Sequence, residues 1–397
     1  MIQNKCNFCN SKIIHEGLNF GKHPGSHFLW EEKDNKTIQN YDITLGFCEN
    51  CNLVQLLNSG KKQDFYDDYY PSSWKPQNHI ADEIKYLKEN MNLSKDSSII
   101  EIGSNDGIFL QQLKLNGFRN LLGLEPALIP REYALKKGIE TLPIYISKKE
   151  AETLVKNRGK FDLVVLRQVC EHIEDLDDLA KSIKCLLKIN GKILVEVPNF
   201  REMLENLDYS AIWEQHLNYF TDNTLSNFIY GTGSEIERVK TYNFSGGCLV
   251  IFGKRKEILV NPKNNRNSEI ETIKKYFTLW DTFKREFIQF IHSNNTIVYG
   301  VGCRSIPLLR YTNTINEIDF YVDDNKSKQN RMIPNTNKIV RDISSLKEIK
   351  GYNILLAVNH ENEEKVIFNN KLIFKRNKVF SLNPPSTLIP KFWNKLI

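Results

Sequence analysis

The segment SSIIEIGSNDGIFLQQL, residues 97–113, constrains the fold of this chain more than any other stretch. Residues 98–102 have the apolar character of a buried strand, residues 103–107 form a glycine-bounded turn, and a helix is predicted from Ile108 onward. Glycines at a strand-to-helix turn let the backbone approach a ligand closely at the start of the helix. The segment therefore predicts the nucleotide-binding turn of an α/β domain.

Three further apolar segments continue this pattern, LLGLEP (121–126), FDLVVLRQV (161–169) and GKILVEVPNF (191–200). A helix is predicted over residues 79–91, before the first strand, and the strands alternate with helices along the chain. Such alternation is typical of a parallel, doubly wound sheet that binds its ligand at the carboxyl ends of the strands.

The choice of nucleotide depends on the residues around the turn, because dehydrogenases and methyltransferases both use glycine turns. Here the pattern is E-x-G-x-x-x-G, with Glu101 two residues before Gly103, and a single acid, Glu125, ends the second strand. A carboxylate at that position suits hydrogen bonds to ribose hydroxyls. The amino-acid part of S-adenosylmethionine is zwitterionic and needs no pyrophosphate cradle, so the pattern favours this methyl donor over NAD.

Two C-x-x-C pairs lie near the N-terminus, Cys6 with Cys9 and Cys48 with Cys51. Each pair presents two thiolates from a tight turn, and two pairs complete the tetrahedral shell of a structural Zn²⁺ site. Three histidines between the pairs offer replacement ligands, His15, His23 and His27. The alternative is that the cysteines are free thiols of a core.

Composition excludes several other classes of protein. The formal charge of +6 is small for 397 residues and the lysines are scattered, so no nucleic-acid partner is expected. No apolar stretch approaches the roughly 18–20 residues of a membrane span, and the first residues lack the apolar core of a signal peptide. We therefore expect a cytoplasmic protein without a membrane partner, in which the eight cysteines do not form disulfides.

The C-terminal third repeats the α/β pattern after a polar linker, KEILVNPKNNRNSE (256–269). A helix is predicted over 268–292, and a second glycine turn, Gly300-x-Gly302, follows the strand in TIVYGVGCRSIPLL (296–309). Because helix starts attract anions, this domain is a candidate site for a nucleotide diphosphate, with Arg304 and Lys328 as candidate partners. The alternative is that the glycines serve packing alone.

These segments together resemble the sugar C-methyltransferases of deoxysugar pathways over nearly the full length. The quoted segments that carry the resemblance, besides the two C-x-x-C pairs, are LVQL (53–56), YYPSS (69–73), EIGSNDG (101–107), GLEPA (123–127), GIET (138–141), VCEHIEDL (169–176), SGGC (245–248), YGVGCRS (299–305) and YVDDNKSKQNRMIP (321–334). Enzymes of this family methylate the carbon next to the ketone of a nucleotide-linked 4-keto sugar.

The resemblance implies three parts of α/β character. They are a zinc-binding module (1–65), a class I methyltransferase domain with a Rossmann-like fold (66–255) and a second Rossmann-like α/β domain (268–397). It also implies S-adenosylmethionine and Zn²⁺ as cofactors and a small nucleotide-linked sugar as the partner. We expect a monomer or a small homo-oligomer.

The segment AIWEQHLNYF (211–220) departs from the family pattern, which has a tyrosine-histidine-glutamate-histidine run here. This chain has Trp213, Glu214, Gln215 and His216. C-methylation next to a ketone needs a base that titrates near neutrality, and His216 is the candidate. The residues alone favour a structural histidine, hydrogen-bonded at a helix start, and the resemblance reverses this preference in favour of catalysis.

Two further residues are candidates for catalysis. His172 follows the strand 161–169 and is expected to orient the base or the substrate, although it would also suit the cap of the helix that begins near Asp175. Glu214 is a candidate for part of the missing carboxylate role. The histidine base would serve equally well to deprotonate a sugar hydroxyl.

The remaining candidates bind the donor or the acceptor. The predicted donor-binding residues are Glu101, Gly103, Asn105, Asp106, Gly107, Glu125, Tyr145 and Gln168. The predicted acceptor-binding residues are Tyr70, Ser73, Trp213, Asn218 and Arg304. Two other functions stay open: O-methylation of a sugar or a surface-polysaccharide precursor, and a non-catalytic scaffold with a methyltransferase fold. The complete EIGSNDG turn and Glu125 argue against the scaffold, since a scaffold has no use for a ribose-binding acid.

Overall fold

The structure is a computed structural model that describes residues 5–12, 15–26, 29, 39–57, 77–259 and 267–397. The predicted acceptor-binding residues Tyr70 and Ser73 lie outside these ranges. None of the helices in the described part of the chain combines the length and the apolar character needed to span a membrane.

Strands and helices alternate along most of the chain. The strands are β1 (His15–Pro24), β2 (Asn40–Phe47), β3 (Val54–Leu56), β4 (Ser98–Ile102), β5 (Asn120–Leu124), β6 (Thr141–Leu142), β7 (Phe161–Arg167), β8 (Leu187–Pro198), β9 (Asn218–Tyr219), β10 (Ser234–Tyr242), β11 (Cys248–Arg255), β12 (Thr296–Tyr299), β13 (Phe320–Val322), β14 (Val340–Arg341), β15 (Asn353–Leu356) and β16 (Lys378–Ser381). The α-helices are α1 (Asn78–Asn90), α2 (Ile108–Leu115), α3 (Leu128–Lys136), α4 (Lys148–Arg158), α5 (Leu176–Leu186), α6 (Phe200–Glu205), α7 (Asp222–Gly231), α8 (Asn267–His292), α9 (Ser305–Tyr311), α10 (His360–Asn369), α11 (Lys371–Phe374) and α12 (Lys391–Asn394).

The central sheet has seven strands in the order β10-β11-β8-β7-β4-β5-β6. Strands β8, β7, β4, β5 and β6 run parallel, as the sequence predicts. Strand β11 differs, because it pairs antiparallel with both β8 and β10. Only residues 243–247 connect β10 to β11, and a connection of this length joins antiparallel neighbours, whereas a parallel crossover needs a dozen residues or more.

A second sheet is parallel and contains five strands in the order β14-β13-β12-β15-β16. The predicted fold class is confirmed: this C-terminal α/β sheet, the central methyltransferase sheet and an N-terminal metal-binding module are all present. The third sheet is antiparallel, in the order β1-β2-β3-β9. Its last strand, β9, follows directly after the segment that contains His216.

One hydrophobic cluster ties these parts together around helix α8. Tyr276, Phe283 and Phe287 of α8 are fully buried and share a cluster with side chains of β1, β2, α6, α9 and α12. The hydroxyl of Tyr209 donates a hydrogen bond of 2.7 Å to the carbonyl oxygen of Tyr276. Burying an aromatic side chain of this size contributes roughly 1.5–3 kcal/mol. The cluster thereby fixes the start of the segment that leads to His216.

Candidate active site

The first wall of the site is the turn between β4 and α2. Gly103 has a φ of +68°, and a Cβ atom there would lie 2.5 Å from Cγ2 of Val169. Only glycine fits this position, because both the conformation and the space exclude a side chain. Gly107 has a φ of +72° and lies against Ala134, where a Cβ would come within 3.0 Å. It permits packing of α2 on α3 and does not line the cavity described below.

Glu125 closes this wall at the end of β5. One carboxylate oxygen accepts a hydrogen bond from the backbone N–H of Asn105 at 3.0 Å, and the other accepts from the N–H of Ala127 at 2.8 Å. Burial raises the pKa of Glu125, and these two backbone hydrogen bonds oppose the shift. The carboxylate is therefore held in one orientation at the predicted ribose position.

A cavity of about 600 Å³ extends from this turn along the carboxyl ends of the central strands. Eleven of the predicted site residues line it: Glu101, Gly103, Asn105, Asp106, Glu125, Tyr145, Gln168, His172, Trp213, His216 and Arg304. The structure therefore brings the donor turn and the predicted base into one cavity.

Two irregular segments, residues 170–173 and 213–218, bring the histidines together. The N–H of Leu217 donates to the carbonyl oxygen of Glu171 at 2.7 Å, which joins the two segments. His172 Nδ1 lies 2.8 Å from the carbonyl oxygen of Gln215. The rings of His172 and His216 meet edge to face, with centroids 5.1 Å apart.

Both histidines are neutral at physiological pH. Burial lowers the pKa of His172 to about 4, although its hydrogen bond to Gln215 opposes this shift. Burial also lowers the pKa of His216 well below the usual value, and the proximity of the His172 ring and of the Arg304 cation acts in the same direction. A neutral imidazole can accept a proton, so His216 has the protonation state that a general base requires.

Glu214 is placed elsewhere and does not line the cavity. Its carboxylate oxygen Oε1 accepts hydrogen bonds from the backbone N–H and the hydroxyl of Ser26, both at 3.0 Å. The side chain lies in a second, small cavity that Arg310 also lines. This geometry does not favour the predicted catalytic role, because Trp213 and His216 line the cavity whereas Glu214 faces Ser26.

Asn218 is also directed away from the cavity and is almost fully buried. Its amide nitrogen donates to the carbonyl oxygens of Cys170 and Ile173, and its amide oxygen accepts from Asn7 at 2.9 Å. Asn218 therefore connects the N-terminal module to the loop that contains His172. This arrangement favours a structural role over the predicted contact with substrate.

Arg304 does reach the cavity, but its guanidinium group is already engaged. It forms an ion pair with Asp208 and donates to the hydroxyl of Ser210 at 3.1 Å and to the carbonyl oxygen of Ser245 at 3.3 Å. The C-terminal domain thus contributes a cation to the wall of the cavity, held in place by the segment before His216.

The second glycine turn is filled by the protein's own side chains. Asp323 Oδ2 accepts a hydrogen bond from the N–H of Val301 at 2.9 Å. Lys328 Nζ donates to the carbonyl oxygen of Val301 at 2.6 Å and to Asp323 at 3.1 Å. A carboxylate at the backbone amide disfavours a second anion there, so the geometry does not support the predicted diphosphate site with Lys328.

Sequence reasoning missed a buried ionic network beneath the donor turn. Arg167 donates to Glu196 at 2.9 Å and approaches Glu83 at 3.3 Å, and His79 lies 3.0 Å from Glu196. Burial raises the pKa of the neighbouring Glu101 to about 8, although Arg167 opposes this shift. The sequence contained a signal for this network, because the charged residues Arg167 and Glu196 interrupt apolar strands that are buried on both faces.

Glu171 was missed as well. It stands directly before His172, is 1% exposed and lines the cavity. Among the residues that the structure describes, neither of its carboxylate oxygens has a hydrogen-bond partner. The sequence contained a signal for Glu171, because it is an acid two residues after the predicted strand 161–169 and next to the candidate His172.

The four predicted zinc ligands converge in the N-terminal module. The sulfur atoms of Cys6 and Cys51 lie 3.5 Å apart, as do those of Cys9 and Cys48, and all four lie within 4.8 Å of one another. Four thiolates at Zn–S distances of about 2.3 Å would be about 3.8 Å apart in a tetrahedron. The cluster therefore fits a zinc ion held by four cysteine ligands, and the candidate replacement ligand His27 lies outside the described ranges.

Comparison with known proteins agrees with this arrangement. Three family models match consecutive parts of the chain: "Putative zinc binding domain" (residues 6–66), "Methyltransferase domain" (72–239) and "C-methyltransferase C-terminal domain" (245–380). The chain therefore carries a methyltransferase domain between a zinc-binding domain and a C-methyltransferase C-terminal domain. It is an S-adenosylmethionine-dependent methyltransferase, and its cofactors are this methyl donor and Zn²⁺.

The chain is also similar to individual proteins. The chain is 24% identical over 395 residues to C-methyltransferase NovU of Streptomyces niveus, covering 94% of this chain and 93% of that protein. It is 22% identical over 119 residues to a ubiquinone biosynthesis O-methyltransferase of Escherichia coli O157:H7, covering 29% of this chain and 49% of the relative. A crystal structure of an S-adenosylmethionine-dependent methyltransferase from Clostridium acetobutylicum ATCC 824 is similar at 16% identity and a TM-score of 0.37, covering 49% of this chain and 97% of that chain.

Proposed function

We propose that this methyltransferase acts on a nucleotide-linked ketosugar, methylates the carbon next to the ketone, and uses His216 as its general base. The observation that carries the proposal is the single cavity that joins the donor turn to His216 and His172. An acceptor in that cavity would contact the base and the methyl donor at the same time, which is what in-line transfer requires.

The chemistry assigns a separate task to each wall of the cavity. The bound donor supplies an electrophilic methyl group. Glu125 and Tyr145, with the turn at Gly103, would hold its adenosine part. His216 is neutral and partly exposed to the cavity, so it can remove the proton from the carbon next to the ketone. The resulting enolate carbon is the nucleophile that takes the methyl group.

The acceptor side of the cavity is formed by His172, Trp213 and Arg304. His172 would orient the acceptor, and Trp213 offers an apolar face that suits a deoxysugar ring. A ketosugar is the substrate class of the family that the sequence resembles, and the relative from Streptomyces niveus is named a C-methyltransferase.

The test is the identity of the product. The protein is incubated with donor that carries a ¹³C-labelled methyl group and with a panel of nucleotide-linked sugars, with and without a ketone. C-methylation predicts a product whose labelled methyl carbon shows one-bond carbon–carbon coupling to the sugar ring. A methyl group attached to oxygen would instead support the alternative of O-methylation, and a His216→Asn enzyme serves as the control for non-enzymatic transfer.

A further inference from the structure

The site contains a carboxyl group that the proposed mechanism does not yet use, that of Glu171. Its side chain is 1% exposed and lines the cavity beside the histidines. Within the described ranges, both of its carboxylate oxygens lack a hydrogen-bond partner. Burying a carboxyl group without a partner is costly, so its presence in the wall of an active site needs an explanation.

Two titratable side chains that lie close to Glu171 are the histidines of the site. Side-chain ligand atoms of Glu171, His172 and His216 all lie within 4.8 Å of one another, and Glu171 Oε1 is 3.9 Å from His172 Nε2. His172 Nδ1 faces the carbonyl oxygen of Gln215, which only accepts, so Nδ1 carries the proton. Nε2 of the neutral ring therefore presents a lone pair toward Glu171 and the cavity, and it has no hydrogen to donate.

This arrangement limits what His172 can do by itself. The oxygen of a ketone gains negative charge as the neighbouring carbon loses its proton, and a hydrogen-bond donor at that oxygen stabilises the transition state. His172 can be that donor only after Nε2 has gained a proton. Glu171 is the neighbouring group that can provide one without changing the total charge of the site.

We propose that Glu171 and His172 share one proton, and that Glu171 passes it to Nε2 of His172 so that His172 can donate a hydrogen bond to the ketone oxygen of the acceptor. In this step the O–H bond of Glu171 breaks and an N–H bond forms at His172, which leaves a carboxylate beside an imidazolium. His216 separately takes the proton from carbon. When the ketone re-forms after methyl transfer, the shared proton returns to Glu171. Glu171 is thus a positioning residue that acts through His172, and the inference rests on the proposed function.

The charges that face Glu171 agree with this assignment. Burial raises the pKa of Glu171 to about 8, the backbone N–H of Glu171 itself opposes this shift, and the carboxylate of Glu196 acts in the same direction as burial. The other facing groups are the neutral imidazoles of His172 and His216, and Arg304 acts electrostatically on His216. At neutral pH Glu171 therefore keeps its proton, and because the pKa of His172 is about 4, the proton moves to Nε2 only as negative charge develops on the ketone oxygen. The pair loses that proton as the pH rises through the pKa of Glu171, so the stabilisation of the enolate declines on the alkaline side.

The experiment compares Glu171→Gln with Glu214→Gln. Both are buried carboxyl groups on the two segments that carry the histidines, but Glu214 faces Ser26 outside the cavity. The readout is exchange of the α-proton of thymidine-diphosphate-linked 4-keto-6-deoxyglucose in deuterium oxide, without methyl donor, from about pH 6 to about pH 9. Glu171→Gln is expected to slow exchange by about 10²- to 10³-fold, the scale for losing one oxyanion donor, and to remove the alkaline decline near pH 8. Glu214→Gln is expected to behave as the wild type.

Two further variants show whether Glu171 acts through His172. Glu171→Asp keeps a proton donor and is expected to recover part of the rate. The double variant Glu171→Gln with His172→Asn is expected to exchange no more slowly than His172→Asn alone, because both changes remove the same hydrogen bond. Losses that multiply, a wild-type rate and pH profile for Glu171→Gln, or an equal loss in Glu214→Gln would each overturn the inference.

A second readout needs no acceptor and separates this inference from the proposed function. In protein labelled with ¹⁵N-histidine, the Nε2 signal of His172 is expected to shift as Glu171 titrates near pH 8, and this shift is expected to be absent in Glu171→Gln. If wild-type protein does not exchange the sugar proton but shows this shift, the proposed substrate is wrong and the proton-sharing pair stands. If the shift is missing in the wild type, the pair is wrong.

Discussion

Gly246→Ala tests whether the Gly-Gly pair between β10 and β11 exists to admit Arg304 to the cavity wall. Gly246 has a φ of +90°, and a Cβ there would lie 2.0 Å from Nη1 and 2.9 Å from Cζ of Arg304. An L-residue in this conformation costs roughly 1–2 kcal/mol. Displacing the guanidinium group also weakens its hydrogen bonds to Asp208 and Ser210, which, as bonds to a charged group, contribute about 1.5–3 kcal/mol. We therefore expect a total loss of about 2.5–5 kcal/mol in the free energy of unfolding.

The matched control is Gly351→Ala. Gly351 has a φ of +82°, but no atom lies within 4 Å of a Cβ built there, so only the backbone cost of about 1–2 kcal/mol is expected. Equilibrium urea unfolding measures both variants against the wild type. In an Arg304→Ala background the extra cost of Gly246→Ala should vanish, because the colliding group is gone. Equal destabilisation by the two glycine substitutions would refute the reasoning.

Three other predictions follow from the site. Purified protein is expected to contain about one zinc ion per chain. Cys48→Ser is expected to lower both the zinc content and the thermal stability, because metal binding contributes to folding. Metal analysis that finds no zinc in the wild type would contradict this prediction. Glu125→Ala is expected to weaken donor binding by about 1–3 kcal/mol in calorimetry, and unchanged affinity would remove Glu125 from the donor site. Because the pKa of His216 lies well below the usual histidine value of 6.5, the unprotonated base persists in mild acid; kcat/KM is expected to stay level as pH falls to about 6, and a decline centred near 6.5 would contradict this assignment.

The donor side of the site was predictable because its determinants are local. A strand, a turn and a helix follow one another within residues 98–115, and Glu125 ends the next strand of the sheet. Parallel strands bring their carboxyl ends to one edge, so sequence order alone places these residues together. The structure accordingly places seven of the eight predicted donor-binding residues in the cavity wall, with Gly107 directed into the packing of α2 on α3.

The acceptor side was less predictable because it is built from irregular segments. Residues 213–216 form a turn, in which side-chain directions do not follow the periodicity of a helix or a strand. The sequence therefore does not show that Glu214 and His216 point to different sides. Strand β9 directs Asn218 toward Asn7 and the loop at Cys170. These directions depend on hydrogen bonds between residues far apart in the chain, which no local pattern encodes.

The C-terminal turn illustrates the same limit. Its glycines and strand were recognisable, and the five-stranded parallel sheet is as expected. The partners of its two cations were not, because Arg304 pairs with Asp208, 96 residues earlier, and Lys328 folds back on Asp323 at its own turn. A glycine turn identifies a place where the backbone can bind a ligand, but the surrounding side chains decide whether that place is open.

The most direct test of the central claim is hydrogen exchange on the acceptor without methyl donor, because it isolates deprotonation from transfer. The account predicts that wild-type enzyme exchanges the proton next to the ketone of a nucleotide-linked 4-keto sugar for deuterium, and that His216→Asn is slower by about 10²- to 10⁴-fold. The variant should still bind S-adenosylmethionine with wild-type affinity, which calorimetry checks. Exchange by His216→Asn at close to the wild-type rate would contradict the account and move the search for the base to His172.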